Sequence, residues 1–234
     1  ILGVESDYAK DVMSDLYHTF SRNHDKLMFM GIRDAELTKY AATAMLATKI
    51  SFMNEMANLA ERMGVDIENV RKGIGSDSRI GYSYIYPGSG YGGSCVPKDV
   101  RALMSMGESF GYPTPILQAV EACNQTQKQR LFEKLTDRFG SNFTGRTIAV
   151  WGLAFKPGTD DMREAPSRVV IRQLLLRGAQ VSAFDPVAGP HALQALRSDL
   201  SQESHLLERF ELAASDMQAL EGADALMVLT EWKN

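Results

Sequence analysis

The segment from Ala35 to Met63 contains neither proline nor glycine, and Gly64 follows it as a natural stop. Leu37, Ala41, Ala44, Met45, Thr48, Phe52, Met56, Leu59 and Met63 recur at spacings that place them on one stripe of a helix. At about 1.5 Å per residue that helix is roughly 43 Å long. It is longer than a small domain is wide, so it must pack against several elements, and a second subunit is one candidate. Asp66 reads as the cap of a short helix from Ile67 to Ile74. A glycine-rich segment, Gly75 to Gly93, comes next. Asp99–Phe110 and Pro115–Phe139 then read as two further helices. Residues 32–140 thus form an all-helical block interrupted by one aromatic and glycine-rich loop.

The pattern changes after Gly140. Thr147–Gly152, Ala179–Phe184 and Ala223–Thr230 are short buried-strand patterns. Ser167–Arg177 is helical, and the stretch between Asp185–Pro186 and Leu220 also reads as helical. Strand–helix–strand–helix–strand begins a doubly wound parallel α/β sheet, Rossmann-like in plan, over residues 141–234, with Gly145 near the boundary. Ahead of the long helix, Ile1–Gly3 and Leu27–Met30 read as short strands around a helix over Asp7–Phe20. Residues 1–31 cannot hold a core alone and read as the tail of a further domain.

Of the 234 residues 44% are hydrophobic and 23% charged, which excludes disorder over most of the chain. No run reaches the roughly 18 apolar residues that span a bilayer. A net charge of −4 argues against a nucleic-acid partner, which selects for a basic field. Two cysteines are too few for a disulfide framework and suggest a reducing compartment. His18, His24, His191 and His205 are scattered, and none pairs with a Cys or acid at a ligand spacing, so no metal is expected. With no secretory leader in the pattern, a cytoplasmic location is the expectation.

Three constellations could carry chemistry. The densest is Tyr86-Pro-Gly-Ser-Gly-Tyr-Gly-Gly-Ser-Cys-Val-Pro-Lys-Asp. Its glycines let backbone approach a ligand closely. Cys95, near the start of a helix and beside Lys98, is placed where a thiolate is favoured. Cys95 is therefore either a nucleophile or a buried thiol among structural turns. Cys123 shares a helical stripe with Ile116, Leu117 and Val120 and reads as core. The second constellation is Lys39 and Thr43, an i, i+4 pair, with Asn54 about 20° round the helical wheel. It is either a solvated face or a row of donors aimed at a substrate oxygen. The third, Gly152-Leu-Ala-Phe-Lys-Pro-Gly-Thr-Asp-Asp-Met-Arg, ends the first C-terminal strand, where ligands of open α/β sheets bind. Lys156 and Arg163 could hold phosphate there, or the segment is an ordinary strand-to-helix loop. Asp185 follows the second strand; without a GxGxxG fingerprint, a turn made by Asp-Pro suits it better than a ribose ligand.

Taken together, Ala35-Glu-Leu-Thr-Lys-Tyr-Ala-Ala, Ile50-Ser-Phe-Met-Asn-Glu, Gly75-Ser-Asp-Ser-Arg-Ile-Gly, Gly90-Tyr-Gly-Gly-Ser-Cys-Val-Pro-Lys-Asp and Gly152-Leu-Ala-Phe-Lys resemble the UDP-glucose 6-dehydrogenase family, in order and spacing. The resemblance runs over essentially the whole chain. It implies NAD-dependent oxidation of the primary alcohol of UDP-glucose to the carboxylate of UDP-glucuronate. Two hydrides are removed, with the sugar carbon held on a cysteine as a thiohemiacetal and then a thioester. By position, Cys95 would be that nucleophile and would also border the cofactor. Lys39 would stabilise the developing oxyanion, and Asp99 would orient or activate water. Thr43, Arg79, Tyr84, Ile85, Tyr86, Pro87, Gly88, Gly92, Phe155 and Lys156 would contact the UDP-sugar, with Arg79 reaching into a neighbouring subunit. Arg163 would meet the NAD diphosphate, and the long helix would form a homodimer core. Two departures from the family pattern stand out. Thr43 occupies a position where family members commonly carry Asn. The N-terminal NAD-binding domain, with its GxGxxG loop and glutamate, has no counterpart in these residues. The chain therefore reads as part of a longer enzyme that would not turn over alone. GDP-mannose or another nucleotide sugar, or a non-catalytic dimeric binding module, are the alternatives. An unrelated cysteine hydrolase would need a histidine near Cys95, and none is near in sequence.

Overall fold

A computed structural model describes residues 1–18, 20 and 27–232. Strand β1 (Leu2–Gly3), helix α1 (Asp7–His18) and strand β2 (Phe29–Met30) form a small parallel pair with its crossover helix. His24 and part of the Asp7–Phe20 pattern lie outside the described residues. Helix α2 (Ile32–Met63) follows, starting three residues before Ala35, with Gly31 at its N-cap. Then come α3 (Ile67–Gly75), capped by the Asp66 carboxylate accepting from the Glu68 amide, α4 (Val96–Ser109) and α5 (Pro115–Gln127).

The buried face of α2 is not the face with its largest side chains. Ala44, Ala47, Ser51, Met53, Asn54 and Ala60 are buried, whereas Leu37, Met45, Phe52, Leu59 and Met63 are between 47 and 66% exposed. Small residues let α4 and α5 approach closely, around a core of Ala47, Tyr91, Val100 and Val120. Cys123 is only half-buried at the edge of this core, and Ile116 is exposed, so the stripe read through them faces partly outward.

The segment 115–139 is two helices rather than one. It turns at Lys128 and Gln129 into α6 (Arg130–Phe139), with no proline or glycine to mark the break. The reason lies in tertiary structure. Leu131, Phe132, Leu135 and Phe139 belong to the core of the C-terminal sheet, where the rings of Phe132 and Phe143 are 5.9 Å apart.

That sheet contains β3 (Thr147–Trp151), β4 (Gln180–Phe184), β5 (Phe210–Leu212) and β6 (Ala225–Val228), all parallel in the order β5-β4-β3-β6. Helices α7 (Pro166–Leu176), α8 (Gly189–Asp199) and α9 (Asp216–Ala219), with a 3-10 turn at Ser204–Arg209, make the connections. Strand β5 lies within the stretch expected to be helical. Three residues are too few to show a period, and only pairing with β4 defines them. Chain order runs outward from β3 through β4 to β5, then crosses to β6 on the other side of β3. The reversal opens a crevice at the carboxyl ends of β3 and β6.

Candidate functional site

Cys95 is the N-cap of α4 and is exposed, with Ser94 Oγ 3.6 Å from its Sγ and Pro97 in the first turn of the helix. One turn on, the Asp99 amide donates to the Cys95 carbonyl (2.8 Å). The Asp99 side chain is only 2% exposed and is held by two lysines. Lys39 Nζ meets Oδ2 at 2.5 Å and Lys98 Nζ meets Oδ1 at 2.6 Å. Burial is the largest single influence on this carboxyl and pushes its pKa up, but the two ammonium groups outweigh it and hold the group below its ordinary value. Lys39 Nζ also donates to Thr43 Oγ1 (3.2 Å). Residues 60 apart in sequence thus form one polar cluster beneath the cysteine: Lys39, Thr43, Lys98 and Asp99.

The loop before Cys95 is fixed by three amide side chains from the helices below it. Asn54 Oδ1 accepts from the Gly88 amide (2.7 Å). Gln127 Nε2 donates to the Gly88 carbonyl (2.7 Å), and Asn58 in turn donates to Gln127. Asn124 pairs with both backbone groups of Tyr91 (2.8 and 3.1 Å). Asn54 therefore serves the loop and not the Lys39–Thr43 row to which its wheel position pointed. Asn124 and Gln127 were not anticipated. Their helix looks ordinary in sequence, and only the loop they receive gives them a role.

The third constellation packs on this loop. The Gly93 amide donates to the Arg163 carbonyl (2.7 Å). A Cβ on Gly92 would lie 2.4 Å from the Glu164 carbonyl oxygen, and one on Gly93 would lie 2.7 Å from the Phe155 ring. Glycine at both positions is what allows the two loops to touch. Phe155 is half-buried there. Lys156 is exposed, with Nζ 5.5 Å from the Phe155 ring centre. The Arg163 guanidinium is paired with Asp161 (2.8 Å) and largely exposed. Cys95 and Arg163 are close enough that a thiolate raises the Arg163 pKa, a smaller effect than that of its partner Asp161.

The segment from Tyr84 to Gly88 is less uniform. Ile85 is buried, while Tyr84, at a φ of 62°, and Tyr86 are exposed. The Arg71 guanidinium lies 4.1 Å from the centre of the Tyr86 ring. Arg79 stands apart from the cysteine cluster, paired with Asp77 (2.6 Å) and facing solvent.

Asp185 makes the expected turn, accepting from the amides of Val187 and Ala188 (2.9 and 2.7 Å). It does more than that. Its other oxygen accepts from the amides of Leu153 and Ala154 and from Trp232 Nε1 (2.7, 3.1 and 3.2 Å). Burial is the largest single influence and raises its pKa, but these donors together hold it low. A carboxylate so fully committed ties down the 152–156 loop and has little left for a ribose. Beside it, Trp151, Phe184, Val228, Thr230 and Trp232 line a cleft of about 110 Å³ at the crevice. Among the described residues no group of three or more His, Cys, Asp or Glu could hold a metal ion.

Sequence profiles of the UDP-glucose/GDP-mannose dehydrogenase family match this chain twice: the central domain over residues 33–126, and the UDP binding domain over residues 149–234. The chain belongs to that family. The central-domain match holds Lys39, Thr43, Cys95 and Asp99, and the second holds Phe155, Lys156 and Arg163. The chain is 54% identical over 233 residues to a UDP-glucose 6-dehydrogenase of Pseudomonas aeruginosa, covering 100% of this chain and 50% of the relative. It is 41% identical over 232 residues to one of Bacillus subtilis, covering 99% and 47%. It thus spans about half the length of the curated relatives it matches. Among solved structures, a UDP-glucose dehydrogenase from Pyrobaculum islandicum is similar at a TM-score of 0.87 and 36% identity, over 98% of this chain and 50% of that one. A GDP-mannose dehydrogenase from Pseudomonas aeruginosa gives 0.55 and 28%, over 99% and 52%. No helix among the described residues is long and apolar enough to cross a membrane.

Proposed function

We propose that this chain is the central and UDP-binding part of a UDP-glucose 6-dehydrogenase. Such an enzyme oxidises the sugar's primary alcohol to a carboxylate in two hydride transfers. The observation that carries the reading is the exposed Cys95 at the start of α4, above Asp99 with its two lysines and against the loop of the sheet domain. The identities and the higher TM-score among UDP-glucose dehydrogenases support that sugar over GDP-mannose.

Two NAD molecules, bound in turn, would each take up one hydride. The exposed Arg163 guanidinium suits its diphosphate, and Asp185, spent on main-chain amides, does not suit its ribose. The chain's own groups account for the rest. The Cys95 thiolate adds to the C6 aldehyde, forming a carbon–sulfur bond, and the carbonyl oxygen gains a proton. Loss of that hydroxyl proton together with a hydride leaves a thioester at the same carbon. Water then adds, and the thiolate departs from the acid. An ammonium has three donors, and Lys39 spends one on Asp99 and one on Thr43. The third is free for the sugar oxygen, where negative charge develops at each addition. Both Asp99 oxygens are occupied by ammonium groups, and its pKa is held low. That supports orienting Lys39 over accepting protons. Lys156, exposed beside Phe155, would meet the uridine diphosphate, a reading its exposure supports.

Titration calorimetry tests the assignment. UDP-glucose should bind and GDP-mannose should not. Lys156→Ala should weaken UDP-glucose by about tenfold, the worth of one charge-assisted contact. Equal binding of both sugars, or none of either, would overturn it.

A further inference from the structure

Glu164 belongs to neither the cysteine cluster nor the Tyr84–Gly88 segment, yet it joins α4, the α5–α6 junction and the cysteine loop. Its backbone is left-handed, at a φ of 54°, a conformation strained for a residue with a side chain. Its Oε1 accepts from Arg101 Nη2 (2.9 Å) on α4, the helix that Cys95 caps. Its Oε2 accepts from Lys128 Nζ (3.1 Å) at the junction of α5 and α6. The Lys128 side chain is only 2% exposed, and among the described residues Glu164 is the acid it pairs with. Arg101 also reaches Glu121 (3.4 Å). The Glu164 carbonyl lies against Gly92, and the preceding carbonyl, of Arg163, accepts from Gly93. Burial raises the pKa of this carboxyl, as its largest single influence, but Arg101 and Lys128 outweigh it, so it is anionic at neutral pH.

We infer that Glu164 is a positioning residue: it latches the 155–165 loop to α4 and to the α5–α6 junction, and so holds Arg163 beside Cys95. The strained backbone aims one carboxylate at two cations on different elements. Those two bonds offset the strain. With the latch closed, the Arg163 carbonyl stays bonded to Gly93, two residues before Cys95, and Lys98 follows the cysteine in the first turn of α4. With it open, the loop carrying Arg163 keeps the Gly93 hydrogen bond and the packing of Phe155 on Gly92 and Gly93, but loses its side-chain ties to α4 and to the α5–α6 junction. The inference rests on the proposed use of Cys95 as a nucleophile, and its test does not require turnover.

The test is alkylation of Cys95 by iodoacetate and by iodoacetamide, followed by peptide mass mapping. The ratio of the two rates reports the local positive potential, because one reagent is an anion and the other is neutral. Three proteins are compared: the wild type, Glu164→Gln, and the double variant Glu164→Ala/Lys128→Met, which leaves no buried ammonium orphaned. If Glu164 acted only as a charge, its loss would raise the ratio in Glu164→Gln. The latch requires the opposite, a fall of about twofold to fourfold in both variants as a unit charge moves several ångströms away. An unchanged or increased ratio in the double variant, with its thermal melting cooperative, overturns the latch. UDP-glucose titration of the wild type separates the two proposals. Binding with an unchanged ratio defeats the latch alone. A lowered ratio without sugar binding leaves the latch standing and defeats the substrate assignment.

Discussion

Asp99 has the least freedom of any charged group in the cluster. It is almost wholly buried, and each of its oxygens holds a lysine that is itself more than half exposed. Replacing it with Asn keeps the shape and removes the charge that pairs with both. The exposed lysines can then return to water, so the loss is that of charged hydrogen bonds and not of a fully buried ion pair, about 1–3 kcal/mol. The pH dependence follows from the sign of the shift. A carboxyl whose folded pKa is depressed contributes stability above its ordinary value near 3.8, and loses it as pH falls through the lower folded value. Urea denaturation at pH 7 should therefore show the wild type more stable than Asp99→Asn. The gap should shrink at pH 3 and below. A gap that is constant across that range would place the ion pairs outside the folding equilibrium. Thr43 poses a smaller question at the same scale. Its hydroxyl accepts from Lys39 and donates to the Lys39 carbonyl (3.0 Å), so its proton is spent locally and one lone pair is left to accept. Thr43→Asn should retain the lysine contact.

Among the elements, the cysteine loop depends on close approach. Gly92 faces backbone at 2.4 Å, and backbone cannot rotate away as a side-chain tip can. Gly92→Ala should thus part the two loops, at the about 1–3 kcal/mol typical of overpacking. It should also weaken UDP-glucose binding more than Gly88→Ala, where a Cβ would meet nothing within 4 Å. Thermal melts and calorimetry on the pair would show it; equal losses would mean that the loop yields freely. This loop was legible in sequence because its signal is local: glycines, a cysteine and a helix start lie within a dozen residues. So were the long helix, the Asp66 cap and three of the four strands of the C-terminal sheet. Strand β5 and the turn at Lys128 were not, because a parallel partner and a neighbouring core define them. Asn124, Gln127 and Glu164 share that fate. Each is an unremarkable polar residue on its own element, and each gains its role from contacts 33 or more residues away. Asn54 shows the converse failure, since its wheel angle was right but its bonding partner was decided by the loop above it.

At the scale of the whole molecule, α2 presents Met45, Phe52 and Leu59 every seventh residue on its open side, with Leu37 and Met63 beyond them. Each is roughly half exposed or more. Scattered exposed side chains need no explanation, but apolar side chains repeated along one side of a long helix are what an interaction surface would use. A second copy suits it, because a two-fold axis across one helix sets the same row against itself. The neighbouring segment favours the same arrangement. Lys49, between Met45 and Phe52, donates to the Ile80 carbonyl (3.0 Å), which anchors the Arg79 turn beside the row. Arg79, idle in its own chain apart from Asp77, would then stand at the partner's edge. Phe52→Asp should split the assembly: light scattering should give twice 25.9 kDa for the wild type and 25.9 kDa for the variant. Arg79→Ala should leave the mass doubled. If Arg79 serves the partner's site, both variants lose UDP-glucose affinity, the first by removing the partner and the second by removing only its arginine. A wild type of single mass would remove the dimer, and with it the reason for Arg79 to matter. A doubled mass with full affinity in Arg79→Ala would keep the dimer and confine the sugar to one chain.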